Sequence, residues 1–202
     1  MNRVKRLPVP VLGLAGPSAS GKSTLARHSQ LEIPDLTVIK LDNFYKERTE
    51  FPVLNGRPNW ELPINFRWDE IVKCLQELRE GRSVFVPVYS KREGRRLGLD
   101  LICPGSIILV EGFLVLNYAP LRDLMDRKIF LRVARETQWI RRNGRDNSVE
   151  RHYFDSVIWR TYRKFGRLAI EVADCVIEAE GNEEEVWRQF KPILESITGP
   201  RY

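Results

Sequence analysis

The sequence has few cysteines and no long hydrophobic run. Its three cysteines, Cys74, Cys103 and Cys175, lie far apart and include no C-x-x-C pair. That spacing argues against a zinc site and a disulfide framework, and it favours a reducing cytoplasm. No apolar segment approaches the roughly 20 residues of a membrane span, and the basic residues 1–6 are not followed by the hydrophobic region of a secretion signal. We therefore expect a cytoplasmic protein without a membrane partner.

Internal repeats and low-complexity tracts are also missing, which leaves an ordinary globular composition. The 202 residues are 43% hydrophobic and 30% charged, which suits a single α/β domain over residues 1–202. The formal net charge of +6 is compatible either with nucleic acid or with an enzyme whose substrates are polyanions. Because the arginines concentrate near one segment, we favour the enzyme and expect no nucleic-acid partner.

The segment Gly16–Thr24 reads GPSASGKST and fits the P-loop pattern G-x-x-x-x-G-K-[ST]. The apolar run Val9–Ala15 predicts a buried strand before it, and the residues after it predict a helix. The two glycines let consecutive backbone N–H groups turn towards phosphate oxygens, and the helix adds its positive end. Lys22 should then reach the β- and γ-phosphates, and the Ser23 hydroxyl should hold Mg²⁺. The segment predicts a nucleoside triphosphate site.

Two acidic residues end predicted strands near the P-loop. Asp42 follows the β-rich run Leu36–Leu41, and Glu111 ends an apolar run that begins at Ser106. Ligands of open α/β sheets bind beyond the carboxyl ends of the strands, so both acids should face the triphosphate. Asp42 can accept a proton from an acceptor hydroxyl, and Glu111 can hold Mg²⁺ directly or through water. The alternative role for Asp42 is a helix N-cap.

Two segments are candidates for binding an acceptor. The first, roughly 50–67, is rich in Pro, Asn and Gly and carries Trp60 beside Glu61, a pair that can stack a flat base and bind a sugar diol. The alternative is a tryptophan that pins the loop to the core. The second, roughly 84–101, predicts a hairpin with an edge strand outside the main sheet, and the charged residues at its tip are expected to be solvated.

Arginines collect around the predicted helix 136–142 and the polar turn after it. The cluster comprises Arg132, Arg135, Arg141, Arg142 and Arg145. A segment of this kind that folds over phosphates excludes water and supplies positive charge, so we predict a lid over roughly 141–152. The alternative is a solvated helix face.

The order of the elements predicts the fold. Strands and helices alternate from the P-loop onward, which indicates a three-layer α/β fold of the P-loop NTPase type with a mainly parallel sheet. A long helix is predicted over 150–171. The last helix should begin at Asn182, with Glu185 in the capping-box position.

With these residues in view, the chain resembles the P-loop nucleoside kinases of the uridine kinase and nicotinamide riboside kinase group over nearly its whole length. Gly16–Thr24 matches that family's P-loop, and Leu41–Lys46 resembles its D-x-F-[YF] motif. Gly81–Tyr89 is similar to the uridine-kinase stretch G-x-x-V-x-V-P-x-Y. Glu111–Leu121 and Tyr153–Tyr162 resemble nicotinamide riboside kinases instead.

The resemblance implies ATP-dependent transfer of the γ-phosphoryl group to the 5′-hydroxyl of a ribonucleoside, with Mg²⁺ as the cofactor. It makes Asp42 the general base and places Tyr45 and Tyr89 near the nucleoside. Glu61 stands where the nicotinamide riboside branch has Asp. The uridine branch usually carries a histidine that contacts the pyrimidine in the turn after its tyrosine, near the position where this chain has Gly94.

The residues expected to bind ATP are Gly16, Ser18, Ala19, Ser20, Gly21, Lys22, Ser23, Thr24, Arg141 and Arg145. Those expected to bind the acceptor are Asp42, Tyr45, Trp60, Glu61, Tyr89 and Arg142. Asp42, Lys22 and Arg141 are expected to act in catalysis, and Ser23 and Glu111 to hold the metal. Two other functions stay open, namely a kinase for a non-nucleoside such as pantothenate or a sugar, and a regulator that binds ATP without transferring phosphate. The preferred base, the preferred triphosphate and homo-oligomer formation also stay open.

Overall fold

The computed structural model describes residues 7–54, 56–146 and 150–198. The strands are β1 Val11–Ala15, β2 Leu36–Lys40, β3 Val53–Leu54, β4 Arg57–Pro58, β5 Val84–Ser90, β6 Arg95–Ile102, β7 Ile107–Glu111, β8 Arg127–Arg132 and β9 Cys175–Glu178. The helices are α1 Lys22–Glu32, α2 Trp68–Arg79, α3 Ala119–Arg122, α4 Arg135–Asp146, α5 Arg151–Tyr153, α6 Arg160–Glu171 and α7 Glu183–Thr198. A π-helical segment, Phe154–Trp159, joins α5 to α6, and short 3₁₀ turns span Leu41–Phe44, Arg48–Glu50 and Pro63–Asn65.

The main sheet is parallel throughout, in the order β2-β7-β1-β8-β9. Glu111 is paired in register with Leu14 of β1 and with Lys40 of β2. The carboxyl ends of these three strands therefore meet at one edge. The P-loop follows β1, and the turn Leu41–Phe44 follows β2, so both connections leave the sheet from this edge.

Side chains that alternate along the strands divide the core into two. On β1, Leu12 and Leu14 belong to the core beneath α1 and α7, whereas Val11 and Ala15 belong to the core beneath α2 and α6. All five residues of β1 are buried, as expected for a strand covered on both faces. The predicted three-layer α/β fold is confirmed.

Three local features refine the sequence prediction. The β5–β6 hairpin forms its own two-stranded antiparallel sheet, as expected for the excursion. The segment 50–67, predicted as irregular, contains the short β3–β4 hairpin. Helix α4 continues to Asp146, so Arg145, which was expected on a turn after residue 142, belongs to a helix instead. Within the described ranges, no helix is both long enough and apolar enough to cross a membrane.

Candidate active site

The P-loop backbone takes the conformation that its glycines allow. Gly16 has φ +153° and Gly21, just before α1, has φ +98°. A Cβ at Gly16 would lie 2.8 Å from the carbonyl oxygen of Leu131 and 2.7 Å from the Ser20 hydroxyl, so no side chain fits there. Ala19 also has a positive φ, at 63°. The loop wraps around the N-terminus of α1, which supplies free N–H groups and a partial positive charge.

The Lys22 side chain folds back onto the P-loop. Its Nζ donates hydrogen bonds to the carbonyl oxygens of Gly16 at 2.9 Å and Pro17 at 2.8 Å. Burial lowers the pKa of this ammonium group, and the nearby Glu111 and Asp42 carboxylates oppose that change. A buried cation with only carbonyl acceptors is suited to bind an anion that enters the cleft.

Ser23 and Glu111 come together from different elements. The Ser23 hydroxyl, on the first turn of α1, donates a hydrogen bond of 2.9 Å to Oε1 of Glu111, whose residue is 6% exposed. A hydroxyl and a carboxylate oxygen are ligands that Mg²⁺ accepts when water and phosphate complete its shell. No group of three or more His, Cys, Asp or Glu side chains suited to a metal ion occurs in the described ranges. Ser23 and Glu111 fit an ion whose other ligands are water and phosphate oxygens.

Asp42 lies in the 3₁₀ turn after β2 and is paired with a residue that the sequence did not single out. Lys91 Nζ, at the tip of the β5–β6 hairpin, is 2.5 Å from Asp42 Oδ2 and 5.8 Å from the centre of the Tyr45 ring. The expectation that the charged hairpin tip is merely solvated is wrong for Lys91. The hairpin folds back until its tip reaches the acid beside the P-loop.

An aromatic cluster surrounds Tyr45. Its ring stacks on Phe66 at 4.2 Å between centroids, meets Trp60 edge-on at 5.4 Å and lies tilted against Tyr89 at 5.5 Å. The Tyr45 hydroxyl donates to the Trp60 carbonyl oxygen at 3.3 Å. Burial raises the pKa of Tyr45 well above its usual value, so the phenol stays protonated. Trp60 is packed against the core by these contacts, and it also lines the adjoining cleft.

Glu61 and Arg142 form a shielded ion pair. Arg142 Nη1 is 3.5 Å from Glu61 Oε1, and the two side chains are only 15% and 13% exposed. The Glu61 backbone N–H donates to Asn59 Oδ1 at 3.1 Å, which fixes the local turn. The pair joins α4 to the segment 50–67, so the predicted lid and the predicted acceptor loop touch.

Arg141 faces the other end of the cleft. Its guanidinium donates to three carbonyl oxygens in the connection after β9, those of Ala179 at 2.7 Å, Glu180 at 3.0 Å and Gly181 at 2.8 Å. Asn182 and Glu185 then cap α7 reciprocally at 2.9 and 3.0 Å, which confirms the predicted capping box. The side chain of Arg145 lies outside the described part of the structure.

A single cleft of about 1440 Å³ connects these groups. The predicted site residues that line it are Ser18, Ala19, Ser20, Gly21, Lys22, Ser23, Thr24, Asp42, Tyr45, Trp60, Glu61, Glu111, Arg141 and Arg142. Gly16 and Tyr89 were also predicted but do not line it. Arg48, Lys91 and Arg92 line it without having been predicted, because only their charge was visible in the sequence. Pockets for one small ligand are about 300–1000 Å³, so this cleft has room for two substrates.

The parallel sheet, the P-loop and the acid at the end of β7 define a P-loop kinase fold. Residues 11–166 match the model of the Phosphoribulokinase / Uridine kinase family, and the chain belongs to that family. The resemblance stated from the sequence is therefore confirmed, and the chain is an ATP-dependent phosphotransferase.

Named relatives cover most of the chain. A uridine kinase of Streptococcus agalactiae serotype III (strain NEM316) is 33% identical over 188 residues, which are 86% of this chain and 88% of that protein. A uridine kinase of Borrelia hermsii (strain HS1 / DAH) is 28% identical over 197 residues, 94% of this chain and 96% of that protein.

Solved structures share the fold at lower identity. A possible uridine kinase from Bacillus stearothermophilus superposes with a TM-score of 0.65 at 18% identity, over 86% of this chain and 90% of that one. Phosphoribulokinase from Rhodobacter spheroides gives 0.62 at 15% identity, over 86% and 71%.

Proposed function

We propose that this chain transfers the γ-phosphoryl group of ATP to the 5′-hydroxyl of a ribonucleoside of the uridine, cytidine or nicotinamide riboside type. The observation that carries the proposal is the shared cleft, which the P-loop lines at one end and Tyr45, Trp60 and Glu61 line at the other, with Asp42 also exposed to it. The named relatives support a nucleoside acceptor, since they are uridine kinases.

In this proposal, the donor phosphates lie on the P-loop and the N-terminus of α1. Lys22 exchanges its two carbonyl acceptors for phosphate oxygens and neutralises charge on the β- and γ-phosphates. Ser23 and Glu111 would hold Mg²⁺, which supplies charge neutralisation at the phosphates when bound. Arg141, Arg142 and Arg145 belong to the lid segment 141–152 and add further positive charge.

Asp42 is the general base. Its carboxylate takes the proton of the 5′-hydroxyl as the hydroxyl oxygen bonds to the γ-phosphorus and the bond to the β–γ bridging oxygen breaks, which leaves ADP and the 5′-monophosphate. Trp60 and Tyr45 hold the base, and Glu61 accepts hydrogen bonds from the ribose diol. Because phosphoryl transfer asks for little covalent chemistry from the protein, positioning and charge carry most of the rate.

A coupled assay of ADP release tests the proposal. The acceptors to compare are uridine, cytidine, nicotinamide riboside, pantothenate and none, with the product identified by ³¹P NMR. We expect release above the no-acceptor rate with at least one ribonucleoside, and a 5′-monophosphate as the product. Release that does not depend on an acceptor would favour an ATP-binding regulator, and release with pantothenate alone would favour a non-nucleoside kinase.

A further inference from the structure

The ion pair of Glu61 and Arg142 joins the acceptor segment 50–67 to the predicted lid. Both side chains line the cleft that the P-loop also lines. With side chains only 13% and 15% exposed, it is the ion pair most shielded from solvent within the described ranges. A charge pair removed from water in this way is costly to break, because each partner would be left with an uncompensated charge.

The pair is nevertheless imperfectly matched. The distance of 3.5 Å between Arg142 Nη1 and Glu61 Oε1 is well beyond the roughly 2.7–2.9 Å of a good charge-assisted hydrogen bond. Arg142 Nε is buried and has no hydrogen-bond partner among the described residues. The guanidinium therefore holds donors that its carboxylate partner does not use, and an anion with more acceptor oxygens, such as a phosphate, would satisfy them better.

Each member of the pair has a second partner in the proposed reaction. Glu61 accepts hydrogen bonds from the ribose diol of the acceptor, and Arg142 adds positive charge at the phosphates of the donor. Burial lowers the pKa of Lys22 in the P-loop, and the Glu61 carboxylate is among the nearby charges that oppose this change. The pair thus lies where the donor and acceptor halves of the cleft meet.

The burial of the pair makes its two exchanges depend on each other. A donor that took Arg142 alone would leave Glu61 shielded without the cation that pairs with it in the described structure. An acceptor that took Glu61 alone would leave Arg142 without its carboxylate. When both substrates are present, each side chain gains a new partner as it loses the old one. Binding of one substrate should therefore favour binding of the other.

We propose that the Glu61–Arg142 pair is an autoinhibitory contact, which keeps Arg142 from the donor phosphates until an acceptor engages Glu61. This inference rests on the proposed function, since it takes the acceptor diol as the second partner of Glu61. It adds to that function a coupling between the two substrates. By thermodynamic linkage, the acceptor must strengthen donor binding by the same factor as the donor strengthens acceptor binding.

Calorimetry measures this coupling without any turnover. The dissociation constant of a non-hydrolysable ATP analogue with Mg²⁺ is determined alone, with saturating uridine and with saturating nicotinamide riboside. We expect at least one of these acceptors to lower the constant by about 5- to 150-fold, the usual range for coupled sites. The reverse titration, of acceptor into protein saturated with the analogue, should give the same factor.

Glu61→Gln releases Arg142 from the pair. Without any acceptor, this variant should bind the ATP analogue about fivefold more tightly or better, and its coupling factor should fall towards one. A glutamate that serves only the diol or the fold would not strengthen donor binding when it is replaced. Arg142→Lys keeps Glu61 paired but loses the planar fork, so it should fold normally and retain only part of the coupling.

Arg57→Met is the matched control. Arg57 Nη2 lies 3.1 Å from Glu150 Oε1, so this pair also joins the segment 50–67 to the region after α4. Its side chains are 57% and 67% exposed, and neither residue lines the cleft. Arg57→Met should leave the dissociation constant of the analogue and the coupling factor unchanged.

The outcomes separate this inference from the proposed function. Donor affinity that is unchanged or weaker in Glu61→Gln overturns the autoinhibitory contact, and nucleoside phosphorylation then stands or falls by the ADP-release assay alone. An equal loss of coupling in Arg57→Met also overturns it, because any contact between the two segments would then suffice. Stronger donor binding in Glu61→Gln without turnover of any ribonucleoside supports the contact and overturns the phosphotransfer proposed above.

Discussion

The pair of Asp42 and Lys91 connects the proposed base to a residue from a separate sheet. At 2.5 Å, the Lys91 ammonium occupies one oxygen of the carboxylate that is expected to receive the acceptor proton. Both side chains are about half exposed, so the pair adds little to stability by itself. Its importance is for positioning, because it ties the hairpin tip to the carboxyl end of β2.

Replacing Asp42 by Asn tests its role as the base. The amide keeps the shape but cannot take a proton, so kcat should fall by about 10²- to 10⁴-fold. ATP affinity, measured by calorimetry, should stay within a few-fold, because the P-loop is unchanged. Glu93→Gln on the hairpin tip is a control that should keep normal kcat. A kcat close to the original value in Asp42→Asn would exclude the base assignment.

For single residues, the sequence predicted the positions of those that belong to contiguous motifs. It missed residues that reach the site through contacts between distant segments. The segment Gly16–Thr24 and the acids Asp42 and Glu111 directly follow predicted strands, so their places at the sheet edge could be inferred. Arg48 and Lys91 could not be placed. Their positions depend on how the β5–β6 hairpin folds over the turn Arg48–Glu50, and no local periodicity records that packing.

Among the elements, the connection between β6 and β7 packs on the start of β2, the edge strand of the main sheet. The Gly105 backbone N–H donates to the Thr37 hydroxyl at 2.8 Å, and the Ser106 N–H donates to the Asp35 carbonyl oxygen at 3.2 Å. A Cβ at Gly105 would overlap that same Asp35 carbonyl oxygen. Two backbone segments therefore meet here with no room for a side chain.

Gly105→Ala should lower the free energy of unfolding by about 2–3 kcal/mol, because the backbone must move to admit the methyl group. Gly98→Ala is the matched control, since a Cβ at Gly98 meets nothing within 4 Å. It should leave stability unchanged or raise it slightly. Urea unfolding followed by circular dichroism measures both. Equal stabilities of the two variants would contradict the close approach.

Helix boundaries were predicted well where a capping signal is local. The box formed by Asn182 and Glu185 places the start of α7, and both of its hydrogen bonds are present. The end of α4 was placed too early, because residues 143–146 include Asn, Gly and Asp, which have low helix propensity. The π-helical turns of Phe154–Trp159 were also missed, since an apolar pattern does not distinguish α from π hydrogen bonding.

For the molecule as a whole, the burial of tyrosines contributes to the dependence of stability on alkaline pH. Burial is the main cause of the raised pKa values of Tyr45, Tyr89, Tyr153 and Tyr162, and it raises that of Tyr89 to about 12 from an ordinary value of 10.0. The folded state therefore holds phenol protons more tightly than the unfolded chain does. This contribution to stability is complete below about pH 10 and is lost as the pH rises towards 12.

The unfolding midpoint in urea should consequently decrease between pH 9.5 and pH 11.5. Tyr89→Phe should reduce that decrease, because it removes one of the shifted groups without breaking a hydrogen bond recorded in the described ranges. Absorbance at 295 nm follows the phenolate directly. A midpoint independent of pH over this range would show that the tyrosines ionise as freely in the folded protein as in the unfolded chain.

For the whole molecule, the layered architecture and the family could be predicted from the sequence. Both depend on the order of the elements and on motifs that span the chain. The cytoplasmic location and the state of association stay predictions or open questions. Assembly depends on complementary surfaces, and the sequence alone does not show which exposed side chains would meet.

The Arg141 guanidinium donates hydrogen bonds to three carbonyl oxygens of the β9–α7 connection. For this arginine to bind a donor phosphate, as proposed above, it must exchange these neutral acceptors for charged phosphate oxygens. Added salt, which screens charged contacts more than neutral ones, should therefore shift the side chain back towards the β9–α7 connection. Under this proposal, ionic strength would change the fraction of molecules in which Arg141 binds the donor.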